Sequence, residues 1–192
     1  TLSSSSAASD VYKRQPLARE RVLDAFESIV INDGERAATL DATAKAAGVS
    51  KGGLLYHFGS KEDLAAGLLD RLDALTTADL ERMAAADEGP VAYYVRTSVM
   101  EDDALDRALI AASRLAQGGS LPAGEALRTV RRRWEDMIRP HVRDRASLNL
   151  VMLLSDGLYF NNSLDVNGEE HLVPHRGELD DLIALVLRTT AP

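Results

Sequence analysis

Gly48 and Ser50 stand one residue apart, and this pair limits what the chain can fold into more than any other feature. Upstream, Thr39 is a good N-cap, and Leu40, Ala44 and Ala47 follow at helical spacing, so Gly48 reads as the left-handed stop of a short helix. Ser50 then reads as the N-cap of a second short helix, leaving only Gly48 and Val49 for the turn. Two short helices joined so tightly need a third element over their shared apolar side. Leu17, Val22, Leu23, Ala25, Phe26, Ile29 and Val30 recur at helical spacing until Asn32-Asp33-Gly34 stops the pattern, and they supply it. This is the outline of a helix-turn-helix.

The second short helix sorts into two faces. Leu54 and Phe58, four residues apart, point to the small core with Val49 from the turn, while Lys51, Gly52, Gly53, Leu55, Tyr56 and His57 fall on the outer side. A glycine in a helix interior costs about 1 kcal/mol relative to alanine, so Gly52 and Gly53 need a reason. A nucleic-acid groove supplies one: bare backbone can approach closely while Lys51, Tyr56 and His57 donate to phosphate oxygens. Relief of crowding against a neighbouring helix is the alternative. After Gly59, Ser60 caps a further helix with Asp63 in capping-box position, and Lys61 in its first turn is placed to reach a phosphate.

These residues together, Thr39, Ala47-Gly48-Val49-Ser50-Lys51-Gly52, Leu54, Tyr56-His57-Phe58 and Ser60-Lys61-Glu62-Asp63-Leu64, strongly resemble the DNA-binding segment of the TetR family of bacterial transcriptional regulators. The match spans about residues 17–66. The resemblance implies a homodimer with an N-terminal three-helix DNA-binding part and a larger helical part that holds an inducer pocket and the dimer interface. It also implies phosphate contacts from Thr39, Ser50, Lys51, Tyr56, His57 and Lys61. The chain departs from the pattern at Gly53 and at Leu55, where the family commonly has a hydroxyl or alanine and an aromatic, so the base readout does not carry over.

Beyond this segment the periodicity predicts helices over about 61–84, 90–100, 103–117, 123–142, 146–163 and 178–189, with breaks at 87–90, 117–124 and 166–177 and no strand-length alternation. The expected fold is all-α with about nine helices: a leader at 1–15, a DNA-binding domain at 16–62, and an effector-binding and dimerisation domain at 63–192. Leu179, Leu182, Ile183 and Val186 form an i, i+3, i+4, i+7 stripe. The preceding helix is apolar on nearly all sides and carries Leu150, Val151, Leu154 and Leu158. These eight residues are the expected dimer seam, with an intramolecular hairpin as the alternative. Tyr93, Tyr94, Met100, Trp134, Met137, Tyr159 and Phe160 gather the aromatics and methionines of this part and are the candidate ligand pocket, each equally readable as core.

Composition narrows the function. The net charge of −8 argues against a nucleic-acid partner until it is divided: residues 16–61 carry six basic and six acidic side chains, and the acid lies beyond them. With no cysteine there is neither disulfide nor thiolate metal site, and a reducing cytoplasm is the expected location. No apolar run approaches a membrane span. Residues 1–15, with a serine run and no apolar periodicity, read as a non-native leader or a disordered arm. No phosphate loop or nucleophile elbow appears, and His171, His175, Glu169 and Glu170 are too loosely placed to assign a metal, so no catalytic residue, cofactor or metal is expected. Two functions remain. One is a ligand-responsive regulator, a repressor that binds double-stranded operator DNA as a homodimer and is released by a small-molecule effector. The other is an all-helical carrier or enzyme that keeps the helix-turn-helix as scaffold.

Overall fold

The computed structural model describes residues 5–99, 103–164, 173–174 and 176–192. Among them are nine α-helices and no strand: α1 (Ser5–Asp33), α2 (Leu40–Ala47), α3 (Lys51–His57), α4 (Lys61–Ala85), α5 (Pro90–Thr97), α6 (Ala104–Gln117), α7 (Leu121–Ile138), α8 (Arg145–Leu164) and α9 (Gly177–Thr190). They divide into two compact units: the chain up to Asp73 with Arg107–Leu127, and Ala74–Asp106 with Arg128–Pro192.

Several boundaries differ from expectation, three of them with a plain local reason. The first helix begins at Ser5 rather than at Pro16, where the apolar pattern starts, because Ala7, Ala8, Lys13, Arg14 and Gln15 favour helix without forming a stripe. Helix α7 begins at Leu121, since Pro122 is tolerated in a first turn that needs no donor. It ends at Ile138 because Pro140 cannot continue the hydrogen-bond ladder, and Arg139–His141 tighten into a 3₁₀ turn instead. Residues 166–172 and 175 of the loop at 166–177, which include His171, His175, Glu169 and Glu170, lie outside the described residues. The described ones contain no group of His, Asp and Glu able to hold a metal.

The first unit closes over Val22, Leu23, Phe26 and Val30 of α1, Ala44 and Ala47 of α2, Leu54 of α3 with Phe58 just after it, Leu64 and Leu68 of α4, and Ala111 and Leu115 of α6. Gly67 allows the tightest crossing: a Cβ there would stand 2.9 Å from Phe58 Cε1 and 3.1 Å from Leu23 Cδ2. One charged cluster accompanies this core. Arg71 of α4 reaches Glu20, Asp24 and Glu27 of α1, and Arg107 of α6 donates to Ser28 Oγ at 3.1 Å with Glu27 3.9 Å away. Glu27 is buried and its Oε1 has no hydrogen bond. Burial raises its pKa more than Arg71 and Arg107 lower it. The folded value lies above the unfolded one, so this group's contribution to stability rises as pH falls through the raised value. Glu27→Gln lacks that term. Urea unfolding between pH 7 and pH 4.5 is expected to shift the stability difference in favour of the parent as pH falls; a constant difference would refute the assignment.

The second unit packs Val91, Ala92, Tyr94 and Val95 of α5 against Leu148, Val151, Met152 and Leu158 of α8 and Leu179, Ile183 and Val186 of α9. Arg96 at the end of α5 binds Glu88 through Nε and Nη2 and Asp180 of α9 through Nη1 at 2.8 Å. Arg143 N–H donates to Thr190 O at 2.9 Å and fixes the far end of α9.

Candidate nucleic-acid interface

Local chemistry builds this site step by step. Thr39 Oγ1 accepts from Ala42 N–H at 3.2 Å and starts α2. Gly48, at φ 66° and ψ 35°, ends it in the left-handed region, and its N–H returns to the Lys45 carbonyl. Ser50 Oγ accepts from Gly53 N–H at 3.0 Å and starts α3. Ser60 Oγ accepts from Asp63 N–H at 3.0 Å and starts α4. All three hydroxyl caps and the glycine stop fall where the sequence places them.

The faces of α3 also sort as expected. Leu54 and Phe58 are buried, and Val49 packs partly against them. Lys51, Gly52, Leu55 and Tyr56 are exposed, Tyr56 to 73%, while Gly53 and His57 are half-buried. Tyr56 and His57 meet edge to face with centroids 5.1 Å apart. The two glycines differ. A Cβ on Gly52 would meet nothing within 4 Å, whereas one on Gly53 would stand 3.2 Å from Ser50 Oγ. Crowding inside the protein therefore accounts for Gly53 in part and for Gly52 not at all. Gly52→Leu is accordingly the clean variant: thermal stability equal to or up to about 1 kcal/mol above the parent, with duplex binding lost in a gel shift. Retained binding would return Gly52 to an incidental role.

Both lysines are already paired within the protein, which sequence reading missed. Lys51 Nζ lies 3.0 Å from Asp41 Oδ1 across the turn, with both side chains largely exposed. Lys61 Nζ donates to the Glu35 carbonyl at 2.6 Å and pairs with the same residue's carboxylate, with both side chains mostly covered. Lys61 thus braces the turn after α1 against the start of α4. Arg36 and Lys45 are exposed on the same head without an acidic partner among the described residues. Neither falls on the motif, so only the exposed surface singles them out.

The candidate pocket residues divide in the second unit. Tyr93 O–H donates to Asp79 Oδ1 and Trp134 Nε1–H to Asp79 Oδ2, both at 3.0 Å, and Arg82 Nε donates to the Tyr93 oxygen at 3.2 Å. Tyr94 packs against Trp134 with ring centroids 5.5 Å apart, and burial holds its phenol well above the ordinary tyrosine range. Met137 packs partly against the same core, and Tyr159 O–H donates to the Asp106 carbonyl at 3.3 Å, away from Asp79's partners. Phe160 is exposed, and Met100 lies outside the described residues. Buried Asp79 was missed, although a carboxylate on the apolar stripe Leu68, Leu72, Thr76, Met83 signals a buried polar partner.

The dimer residues also divide. Val151, Leu158, Leu179, Ile183 and Val186 are buried within the chain's own core, and only Leu150, Leu154 and Leu182 keep surface. The exposed apolar stripe of α8 runs instead through Leu150, Leu153, Gly157 and Phe160, at i, i+3, i+7 and i+10, and Leu185 and Leu187 are exposed on α9.

A three-helix head whose last short helix leaves Gly52, Leu55 and Tyr56 exposed has the form of a helix-turn-helix. Residues 23–68 match the family model of the bacterial regulatory proteins of the tetR family. No curated protein matches it in sequence. Among solved structures it is similar to a transcriptional regulator from Rhodococcus sp. Rha1, at 21% identity over 90% of this chain and 97% of that one, with a TM-score of 0.60. It is similar to the multidrug binding protein EbrR complexed with malachite green, at 16% identity over 91% and 98%, TM-score 0.63. The ketosteroid transcriptional regulator KstR2 of Mycobacterium tuberculosis resembles it at 20% identity over 91% and 95%, TM-score 0.54.

Proposed function

We propose that this chain is a homodimeric repressor that binds a double-stranded operator in the cytoplasm and leaves it when a small molecule binds the helical part of the chain. The observation that carries the reading is the outer face of α3, where Gly52 opens the backbone and Tyr56 stands clear of the protein. Thr39, Ser50, Tyr56 and His57 contact phosphates, with Gly52, Gly53 and Leu55 against the groove. DNA binding falls within 16–62, and effector binding and dimerisation within 63–192. Tyr93, Tyr94, Trp134 and Met137 around Asp79 form the wall that an effector meets; EbrR, solved with malachite green, supports a ligand in a chain of this fold. The two copies pair through the exposed stripe of α8 and Leu185 of α9.

A gel shift with the duplex upstream of the protein's own gene, repeated with a panel of metabolites and dyes, tests this. A shift that one panel member reverses is expected. Tyr56→Phe should weaken binding to that duplex and to a random duplex by the same factor, because a phosphate contact carries no base information. No shift of any duplex at micromolar protein would end the reading.

A further inference from the structure

Resting on that reading, we infer that Asp41 sets the strength of DNA binding by occupying the Lys51 ammonium in the free protein. The head that meets the DNA carries equal numbers of basic and acidic side chains over 16–61, which is unusual for a surface that must approach a polyanion. The two lysines nearest α3 show how the balance is made, and they differ in kind. Lys61 is held by both the carbonyl and the carboxylate of Glu35 in a covered position, so its charge belongs to the fold. Lys51 has one partner, Asp41, at 3.0 and 3.1 Å from its two carboxylate oxygens, in the open at the edge of the recognition helix. That pair can open without disturbing any buried group.

The consequence follows from counterions. A free lysine that meets a phosphate displaces a condensed cation from the DNA, and each such contact steepens the fall of log Kobs with log salt by about 0.9. A lysine already neutralised by a carboxylate displaces none. If Lys51 moves to the phosphate, Asp41 is left facing the backbone and recruits a cation of its own. If Lys51 stays, the phosphate meets a neutral pair. Either way Asp41 removes about one contact's worth of salt-dependent affinity. It does so without reading sequence, because the pair touches only the ammonium.

Asp41→Asn tests this by fluorescence anisotropy on a random 30-base-pair duplex and on the upstream duplex, from 50 to 200 mM salt. Asp41 is exposed in the first turn of α2, so the asparagine variant should keep the parent's melting profile. The expected result has three parts. The salt slope steepens by about 0.9, equivalent to about a threefold larger change in affinity across that range. Both duplexes tighten by the same factor. The double variant Asp41→Asn, Lys51→Met returns to the parent's slope. An unchanged slope in Asp41→Asn, or a steeper one that persists in the double variant, would overturn the inference while leaving the regulator reading intact. Unequal tightening would overturn it too, by making Asp41 a base-reading residue. A parent protein that binds neither duplex removes both the inference and the reading beneath it.

Discussion

Glutamate at Leu153 and Leu185 together is expected to give a monomer in light scattering at micromolar concentration, with operator affinity reduced on the order of 100-fold or more as two linked half-sites become one. Leu153 is 65% and Leu185 51% exposed in the single chain, so the new charges rest in water there and the fold should be unaffected. In a dimer they would be buried and unpaired, at a cost of several kcal/mol. Gly157, around which a Cβ would find open space, lies between Leu153 and Phe160 and lets a second helix approach closely. Val186→Asp makes the comparison. Val186 is buried within its own chain, so that variant should lose thermal stability itself rather than merely dissociate. A double glutamate variant that remains a dimer would refute the stripe, and a monomeric parent would refute the dimer.

Gly67→Leu is expected to unfold the first unit. Helix propensity favours the change by about 1 kcal/mol, but a Cβ alone would stand 2.9 Å from Phe58 Cε1 and 3.1 Å from Leu23 Cδ2, and the remaining atoms of a leucine would have to displace these buried rings and methyls. Overpacking of this kind costs about 1–3 kcal/mol for a methyl or two and more for a whole side chain. Gly67→Ala should therefore lose about 1–2 kcal/mol, and Gly67→Leu should lose helical circular dichroism and all DNA binding. Trp134, the single tryptophan, belongs to the second unit. Its fluorescence should keep the parent's emission if the damage stays in the first unit. A Gly67→Leu protein that binds DNA and melts like the parent would mean that the crossing is looser than described.

What the sequence made legible was whatever a helix decides locally. The caps at Thr39, Ser50 and Ser60, the stop at Gly48, and the inward turn of Leu54 and Phe58 are settled within one or two turns of the residue itself, and all appear as read. What stayed hidden is decided across elements. The pairing of Lys51 with Asp41 and of Lys61 with Glu35 depends on how successive helices meet, and no local pattern records it. The expected dimer seam joined the stripe Leu179, Leu182, Ile183 and Val186 to Leu150, Val151, Leu154 and Leu158, and five of these eight are buried within the single chain. Such a stripe marks the face buried most deeply, and here the chain's own core takes it. The outward stripe of α8 is weaker because a surface that also meets water must be less apolar. Phe160 was read as pocket-lining for its ring alone, yet it lies on that outward face.

The first unit is discontinuous in sequence: its core needs Ala111, Leu115 and Ala123 as well as the helices that precede Asp73. During synthesis the recognition helix therefore emerges long before its support is complete, and the apolar side of the head waits for about fifty further residues to leave the ribosome. The nascent chain has the outer face of α3 drafted early but rigid only late, so a truncated product ending near Asp73 would expose sticky, half-closed helices.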